Sequence, residues 1–217
     1  MNIEQARTNM IKQQCRAWGV LDDDILALFE RTPREDFVPK RYQHLAFADM
    51  AIPLGHGQSM LAPKEEARIL DALKINPNER VLEIGSGSGF FTLLLAHQAK
   101  QVDSVDIFED FITLAGQKLQ SHNIYNIDLQ TADALAGYKK NTHYDVIVIT
   151  GAMPVLPKHF LAQLNHHGRL FAYLGKAPAM QATLITKLDE TNTQTTVLFE
   201  TVVAPLINVH APSEFVF

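Results

Sequence analysis

The sequence predicts an α/β fold: a mostly parallel, twisted sheet flanked by helices, with a helical lobe in front of it. Three observations predict it. From about residue 80 onward, short apolar runs alternate with helical periods, the pattern of parallel strands joined by right-handed crossovers. The run Val146-Ile147-Val148-Ile149 is unbroken and β-branched, as expected of a strand buried on both faces. Before that alternation, Ile3, Ala6, Met10 and Ile11 fall at helical spacing.

The elements follow in order. Ile3 to Cys15 reads as an amphipathic helix. A second helix spans Asp23 to Arg31, with Asp22 or Asp23 available as its cap. Pro33 and Pro39 bracket residues 34–38, an extended or turn segment. Pro53, Gly55, Gly57 and Pro63 argue against regular structure over residues 45–63. Lys64 to Leu73 is a helix, apolar at Ala67, Leu70 and Leu73. Strands are expected at Arg80–Ile84, Val102–Ile107, Ile127–Thr131, Asp145–Thr150 and Arg169–Leu174. The helices between them are Phe90–Gln98, Asp110–Ser121 and a short one near His159–Leu164. Ala182–Lys187 and Thr195–Val203 read as closing strands, with antiparallel pairing as one option. The apolar end Phe215-Val216-Phe217 is expected to dock on the body.

Composition narrows the function classes. Of 217 residues, 47% are hydrophobic and 20% charged, values of a chain that packs a core. The formal charge of −5, with no clustered Lys/Arg run, argues against a nucleic-acid partner. No apolar run reaches the ~20 residues of a membrane helix, and the first residues lack a signal-peptide core. A cytoplasmic protein is expected. One cysteine, Cys15, excludes an internal disulfide, and the nine histidines show no metal-site spacing, so no metal is expected.

The chemistry-bearing segment is Glu83-Ile84-Gly85-Ser86-Gly87-Ser88-Gly89, placed between the first sheet strand and its helix. Glycines there let the backbone turn tightly and approach a ligand, at the strand end where open α/β sheets bind ligands. The spacing G-x-G-x-G departs from the dinucleotide pattern G-x-G-x-x-G. Glu83, two residues before the first glycine, suits a ligand carrying an ammonium and a sulfonium better than a pyrophosphate. The loop resembles the first motif of S-adenosylmethionine-dependent methyltransferases. Asp106, ending the second strand, is placed to accept ribose hydroxyls, and Asp133, after the third, stands where such enzymes hold the adenine amino group. The cofactor set is therefore Glu83, Gly85, Ser86, Gly87, Ser88, Gly89, Asp106 and Asp133.

A wider set of motifs resembles the protein-L-isoaspartate O-methyltransferase family. They are Phe37-Val38-Pro39, Ala46-Phe47-Ala48-Asp49, Pro53-Leu54-Gly55-His56-Gly57-Gln58 and Ala62-Pro63. Val81 to Gly89, Tyr144-Asp145-Val146-Ile147, Pro157, Gln163-Leu164 and Gly168-Arg169-Leu170 continue the likeness, which spans about Pro33 to Leu206. It implies a Rossmann-like methyltransferase core, with residues 1–76 forming a helical lobe and substrate-side segment and residues 77–217 the cofactor core, together one domain. It also implies methylation of the carboxyl group of isoaspartyl residues in damaged proteins, with isoaspartyl peptides or proteins as substrate. Oligomeric state stays open.

By that resemblance Ser59 is the catalytic-side hydroxyl, and His56, Gly57, Gln58 and Leu61 line the substrate side. The family usually carries Gln-Thr-Ile-Ser before the proline; here the stretch is Gln58-Ser59-Met60-Leu61, so Leu61 replaces the second hydroxyl. Phe47 stands for the usual Tyr and Ala134 for the usual Gly. A carboxylate is ionised near pH 7 and needs no general base. A lost hydrogen bond to a charged group costs ~1.5–3 kcal/mol, roughly tenfold to a hundredfold in rate. Two other readings therefore stay open: a relative that methylates a different acceptor, and a non-catalytic cofactor-binding module. His56 either donates to a carboxylate or packs its loop; His166 and His167 read as a helix-terminal pair. Cys15, Trp18 and Phe37 read as packing residues of the lobe and Asp49 as a structural carboxylate.

Overall fold

A computed structural model describes residues 2–139 and 141–209; the expected docking of Phe215–Phe217 lies outside them. The lobe opens with α1 (Ile3–Met10), which runs on through a π-helical turn at Ile11–Cys15. Next comes α2 (Asp23–Arg31), whose first turn is closed by Asp22 Oδ1 accepting from the amides of Asp24 and Ile25. Between the prolines, Arg34–Asp36 forms a 3-10 turn, one of the two conformations expected there, and beyond Pro39 Lys40–Leu45 forms another. The lobe ends in a hairpin, β1 (Ile52–Gly55) with β2 (Gln58–Met60), and in α3 (Pro63–Leu73). Proline at the first position of α3 fits, because that amide has no helical partner.

The hairpin corrects the expectation of irregular structure over residues 45–63. Gly55, His56 and Gly57 all sit at positive φ, so the residues that argued against a strand form the turn that joins two of them. Pro53 is tolerated because β1 pairs on one side only.

The core is β3 (Arg80–Ile84), α4 (Phe90–Ala96), β4 (Gln101–Asp106), α5 (Glu109–Ser121), β5 (Ile127–Thr131), β6 (Tyr144–Met153), α6 (Lys158–Ala162), β7 (Leu164–Lys176), β8 (Ala179–Lys187) and β9 (Thr193–Thr201). The seven strands lie in the order β5-β4-β3-β6-β7-β8-β9. Five pair in parallel, and β8 joins β7 and β9 antiparallel. Val81, Leu82, Val102, Val105, Val146, Ile147, Val148 and Ile149 are fully buried, consistent with a sheet covered on both faces. His166 and His167, expected at a helix end, lie inside β7. The helix α6 is only five residues long and stops at Ala162, so the chain enters the sheet before it reaches them.

Chain order reverses at β3, whose neighbours are β4 on one side and β6 on the other. That switch point opens a crevice at the carboxyl ends of the strands. One hydrophobic cluster runs from Met10 and Phe29 in the lobe through Phe90 and Val102 to Ala182, so lobe and sheet share a core. Phe37 is fully buried against Phe90, and Trp18 packs edge-on against Phe199 of β9. Cys15 is buried on the first helix.

Candidate cofactor and acceptor site

The loop from Gly85 to Gly89 crosses the switch point. Gly85 has φ near +100°, and a Cβ there would lie 2.2 Å from Oγ1 of Thr150 in the neighbouring strand β6. Thr150 uses that hydroxyl to donate to the carbonyls of Ile84 and Gly85, at 3.1 and 2.8 Å. Gly89, the last loop glycine, would bring a Cβ to 2.8 Å from Cβ of Ala115 on α5. Two of the glycines are thus demanded by backbone conformation and close approach. The loop is a tight backbone cradle, packed against Thr150 on one side and Ala115 on the other.

Asp106 stands at the end of β4 beside that cradle. The Gly87 amide donates to its Oδ2 at 2.9 Å and the Phe108 amide to its Oδ1 at 3.1 Å. Burial pushes its pKa above the ordinary value, and those backbone donors oppose the shift. Asp133 follows β5. Its Oδ1 accepts from the Leu135 amide at 2.9 Å and its Oδ2 from Asn208 at 2.8 Å. Gly85, Gly87, Asp106 and Asp133 all line one cavity.

Glu83 does not line it. The carboxyl group is fully buried behind the loop, where Thr92 of α4 and Ser104 of β4 both donate to Oε2 at 2.5 Å. Among the described residues Oε1 has no partner, and burial pushes the pKa up to about 8. Ser104 also bonds Ser86 at 2.6 Å, so Glu83 braces the loop from below through a chain of hydroxyls. Ser86 is accordingly buried in that brace, while Ser88 opens α4, its Oγ accepting from the Phe90 amide at 3.3 Å. The direct meeting of Glu83 with a ligand ammonium, expected from spacing, gives way to a supporting role.

The hairpin closes the cavity from the lobe side. Gln58, Ser59 and Leu61 all line it, as does Leu54 of β1. Ser59 is exposed to the opening, whereas Leu61 is buried. Gln58 reaches the Pro205 carbonyl at 3.4 Å. Gly57 forms the turn and is not among the lining residues. His56, at the tip, stacks on Phe108 with centroids 4.1 Å apart and planes 11° apart, and its Nε2 meets Asp110 at 3.0 Å. It therefore packs the hairpin onto the start of α5.

Beneath the hairpin lies Arg34, which is 1% exposed. Its Nη2 donates to the Leu61 carbonyl at 2.5 Å, its Nε to the Ala46 carbonyl at 2.9 Å, and its Nη1 to Glu66. Desolvation raises the pKa of Glu66, and its pairing with Arg34 opposes that shift. A buried cation thus fixes where Leu61 sits. The remaining wall is the segment after β9. The Ala152 amide donates to the Ala204 carbonyl and the Leu206 amide to the Ala152 carbonyl, both at 2.9 Å, which ties the segment to β6 where Val202, Val203, Ala204, Leu206 and Ile207 line the cavity.

The protein-L-isoaspartate(D-aspartate) O-methyltransferase family model matches residues 5–211. The chain belongs to that family. A protein-L-isoaspartate O-methyltransferase of Methanoculleus marisnigri is 37% identical over 169 residues, covering 78% of this chain and 77% of the relative. One from Cronobacter sakazakii is 35% identical, covering 78% and 81%. Among solved structures, a Plasmodium falciparum protein described as a protein-L-isoaspartate O-methyltransferase, in complex with S-adenosyl-L-homocysteine, superposes with a TM-score of 0.79 at 18% identity. It covers 92% of this chain and 97% of that one. A second protein-L-isoaspartate O-methyltransferase gives 0.78 at 22% identity, covering 92% and 65%. The fold is the Rossmann-like methyltransferase fold of those structures.

Three features of this family member were not foreseen from sequence. Thr150 closes the loop carbonyls, Phe108 and Phe111 form an aromatic side to the cavity, and Glu65 is among the residues that line it. Glu65 is the third residue of α3, where a glutamate reads as an ordinary helix-start residue. No local signal marks its side chain as facing a cavity; only the packing of α3 against the strand ends reveals that.

Proposed function

We propose that this chain transfers the methyl group of S-adenosylmethionine to the carboxyl group of isoaspartyl residues in proteins. The observation that carries the reading is one cavity whose walls join the loop and Asp106 on one side to the Ser59 hairpin on the other. Family membership supplies the cofactor and acceptor class.

The residues fit the cofactor. Gly85 and Gly87 offer a side-chain-free surface, Asp106 an acceptor for hydroxyl groups, and Asp133 an acceptor for an exocyclic amine, all on the wall formed by strand ends. When bound, S-adenosylmethionine supplies an electrophilic methyl group: an acceptor oxygen forms the new O–C bond as the C–S bond breaks and its electron pair stays on sulfur. The chain's own work is positional. No residue has to take a proton, because the acceptor carboxylate is already ionised near neutrality. Ser59 donates to that carboxylate and aims it. Leu54, Leu61, Val203 and Leu206 keep water from the approach path. Gly57 and His56 act at a distance, by setting and anchoring the turn that carries Ser59. Residues 1–76 and 77–217 act as one methyltransferase domain, a reading supported by their common core.

The test is incubation with methyl-labelled S-adenosylmethionine and a peptide pair differing only in aspartyl or isoaspartyl linkage. Base-labile methyl ester on the isoaspartyl peptide alone is the expected result. Cofactor binding without transfer to either peptide would refute the acceptor assignment.

A further inference from the structure

Asp133 is held by two donors, one from its own turn and one from far along the chain. The Leu135 amide donates to Oδ1 at 2.9 Å, and Asn208 Nδ2 donates to Oδ2 at 2.8 Å from 75 positions away. An ionised carboxylate offers about four acceptor directions, so two remain for a ligand in the cavity that Asp133 lines. Asn208 is placed by the segment that carries it. Two residues earlier, the Leu206 amide is bonded to the Ala152 carbonyl. Leu206 also closes on Gly151 so tightly that a Cβ there would meet its side chain at 2.7 Å. Asn208 itself has φ near +67°, a backbone conformation that asparagine adopts more readily than most residues. Leu206 and Ile207 line the cavity, whereas Asn208 is not among the described residues that do. Its route to a ligand runs through Asp133.

We propose that Asn208 is a positioning residue for purine recognition, aiming the Asp133 carboxylate at the exocyclic amine of the cofactor's adenine. The assignment rests on the reading above in which Asp133 accepts that amine. Both side chains are exposed. With the Leu135 amide alone, one carboxylate oxygen is fixed and the other is free to swing toward water. With Asn208 in place both oxygens are fixed, so the remaining acceptor directions are set before the ligand arrives. A base bound against the pair excludes water from it, and there a hydrogen bond counts for more. Adenine presents an amine to the carboxylate. Hypoxanthine presents a carbonyl oxygen at the same place, which the carboxylate repels. A carboxylate held in place tells the two bases apart, and one that can turn away does so less sharply. Asn208 therefore acts on the choice of base, through a segment whose other residues line the cavity.

The experiment compares the full chain with Asn208→Ala, Asn208→Asp, Asp133→Ala and the Asp133→Ala/Asn208→Ala pair. Calorimetry measures the Kd of S-adenosylhomocysteine and of its deaminated analogue S-inosylhomocysteine, and a thermal melt follows the ligand-free chain. The wild type is expected to prefer the adenosyl compound by about tenfold or more. Asn208→Ala should weaken the adenosyl compound about fivefold and the inosyl compound by less than about twofold, so that the preference shrinks. Its melting temperature should stay close to that of the wild type, because the lost bond is at the surface. Asn208→Asp sets a second carboxylate against Asp133, and its larger loss should ease with added salt. In the Asp133→Ala background, Asn208→Ala should cost nothing more, since it acts through the group already removed. An undiminished preference in Asn208→Ala overturns the proposal. So does an equal weakening of both compounds, which would make Asn208 an anchor of its segment and nothing else, and so does a fully additive pair. A wild type without base preference removes the Asp133 reading together with this inference. A wild type with the preference and indifferent Asn208 variants removes only this one. Neither compound is an acceptor, so failure of the isoaspartyl assignment leaves the result standing.

Discussion

The two walls of the cavity are built in different ways. On the cofactor wall, position comes from backbone: glycines at positive φ, amides on Asp106, and a hydroxyl chain behind the loop that ends on Glu83. On the acceptor wall, position comes from side chains reaching across the fold: Arg34 to the Leu61 carbonyl, Thr201 to Glu65, His56 to Asp110. A wall made of backbone binds an invariant ligand and leaves a short sequence signature. A wall hung on long-range tethers can be altered one side chain at a time, which suits the part of an enzyme that meets variable acceptors.

The largest expected break falls on the acceptor wall. Arg34→Ala removes two carbonyl contacts and leaves Glu66 buried without its cation, a loss of about 3–5 kcal/mol of stability. A thermal melt measures it. Arg34→Met with Glu66→Met restores much of that stability, because a buried pair replaced by apolar groups is often near neutral. The double variant still lacks the tether on Leu61, so its peptide KM should stay raised while cofactor affinity is kept. A parallel loss of both affinities would mean that the walls are not independently held.

On the cofactor wall the strongest effect is one of pH. The native Glu83 carboxyl keeps its proton up to about pH 8, because burial dominates the two hydroxyl donors. An unfolded glutamate releases its proton near about pH 4.3. The native state therefore holds the extra proton between those values. Stability contributed by Glu83 is full at acid pH and falls as pH rises through that window, by at most about 1.4 kcal/mol per pH unit. Glu83→Gln carries no such proton and should flatten the decline of melting temperature with pH, by roughly 2–4 °C for each kcal/mol. An unchanged slope would show that Glu83 is ionised in the folded chain.

What the sequence made legible follows the same division. Strands β3, β4 and β6 were readable from β-branched runs, and the glycine loop from its spacing, because each is a local pattern in which burial dictates residue type. Asp106 and Asp133 followed from their place at strand ends. The β1–β2 hairpin was hidden by Pro53, Gly55 and Gly57, whose local meaning is a break and whose actual use is one turn. The histidines of β7 were misplaced because a five-residue helix leaves too few turns to fix where it stops. Glu83 was read on the ligand and Glu65 was not singled out, for a simpler reason. Spacing puts a residue on an element, but which of two buried directions a carboxyl takes depends on partners such as Thr92, Ser104 and Thr201, which lie 9, 21 and 136 positions away.

A smaller effect is expected at Asp106. Replacement by Ala removes an acceptor for ligand hydroxyls and frees the Gly87 amide, costing about 1.5–3 kcal/mol of cofactor binding, or roughly tenfold to a hundredfold in Kd. Calorimetry with S-adenosylhomocysteine reads it. Peptide binding to cofactor-saturated protein should be kept, because the Ser59 hairpin draws none of its tethers from β4.

The smallest effect tests whether the walls touch. His56 crosses from the hairpin tip to α5, stacking on Phe108 two residues after Asp106. Its bond holds the Asp110 carboxyl below the usual carboxylate range, yet both partners are open to solvent and salt-screened. His56→Ala should therefore leave the melting temperature nearly unchanged and alter cofactor affinity by less than about threefold. Most of that change should persist at high salt, since the flat ring contact with Phe108 is not ionic. An effect that vanished with added salt would assign the clasp to the ion pair. An effect of tenfold or more would show that the acceptor hairpin, and not the glycine loop alone, keeps the cofactor in place.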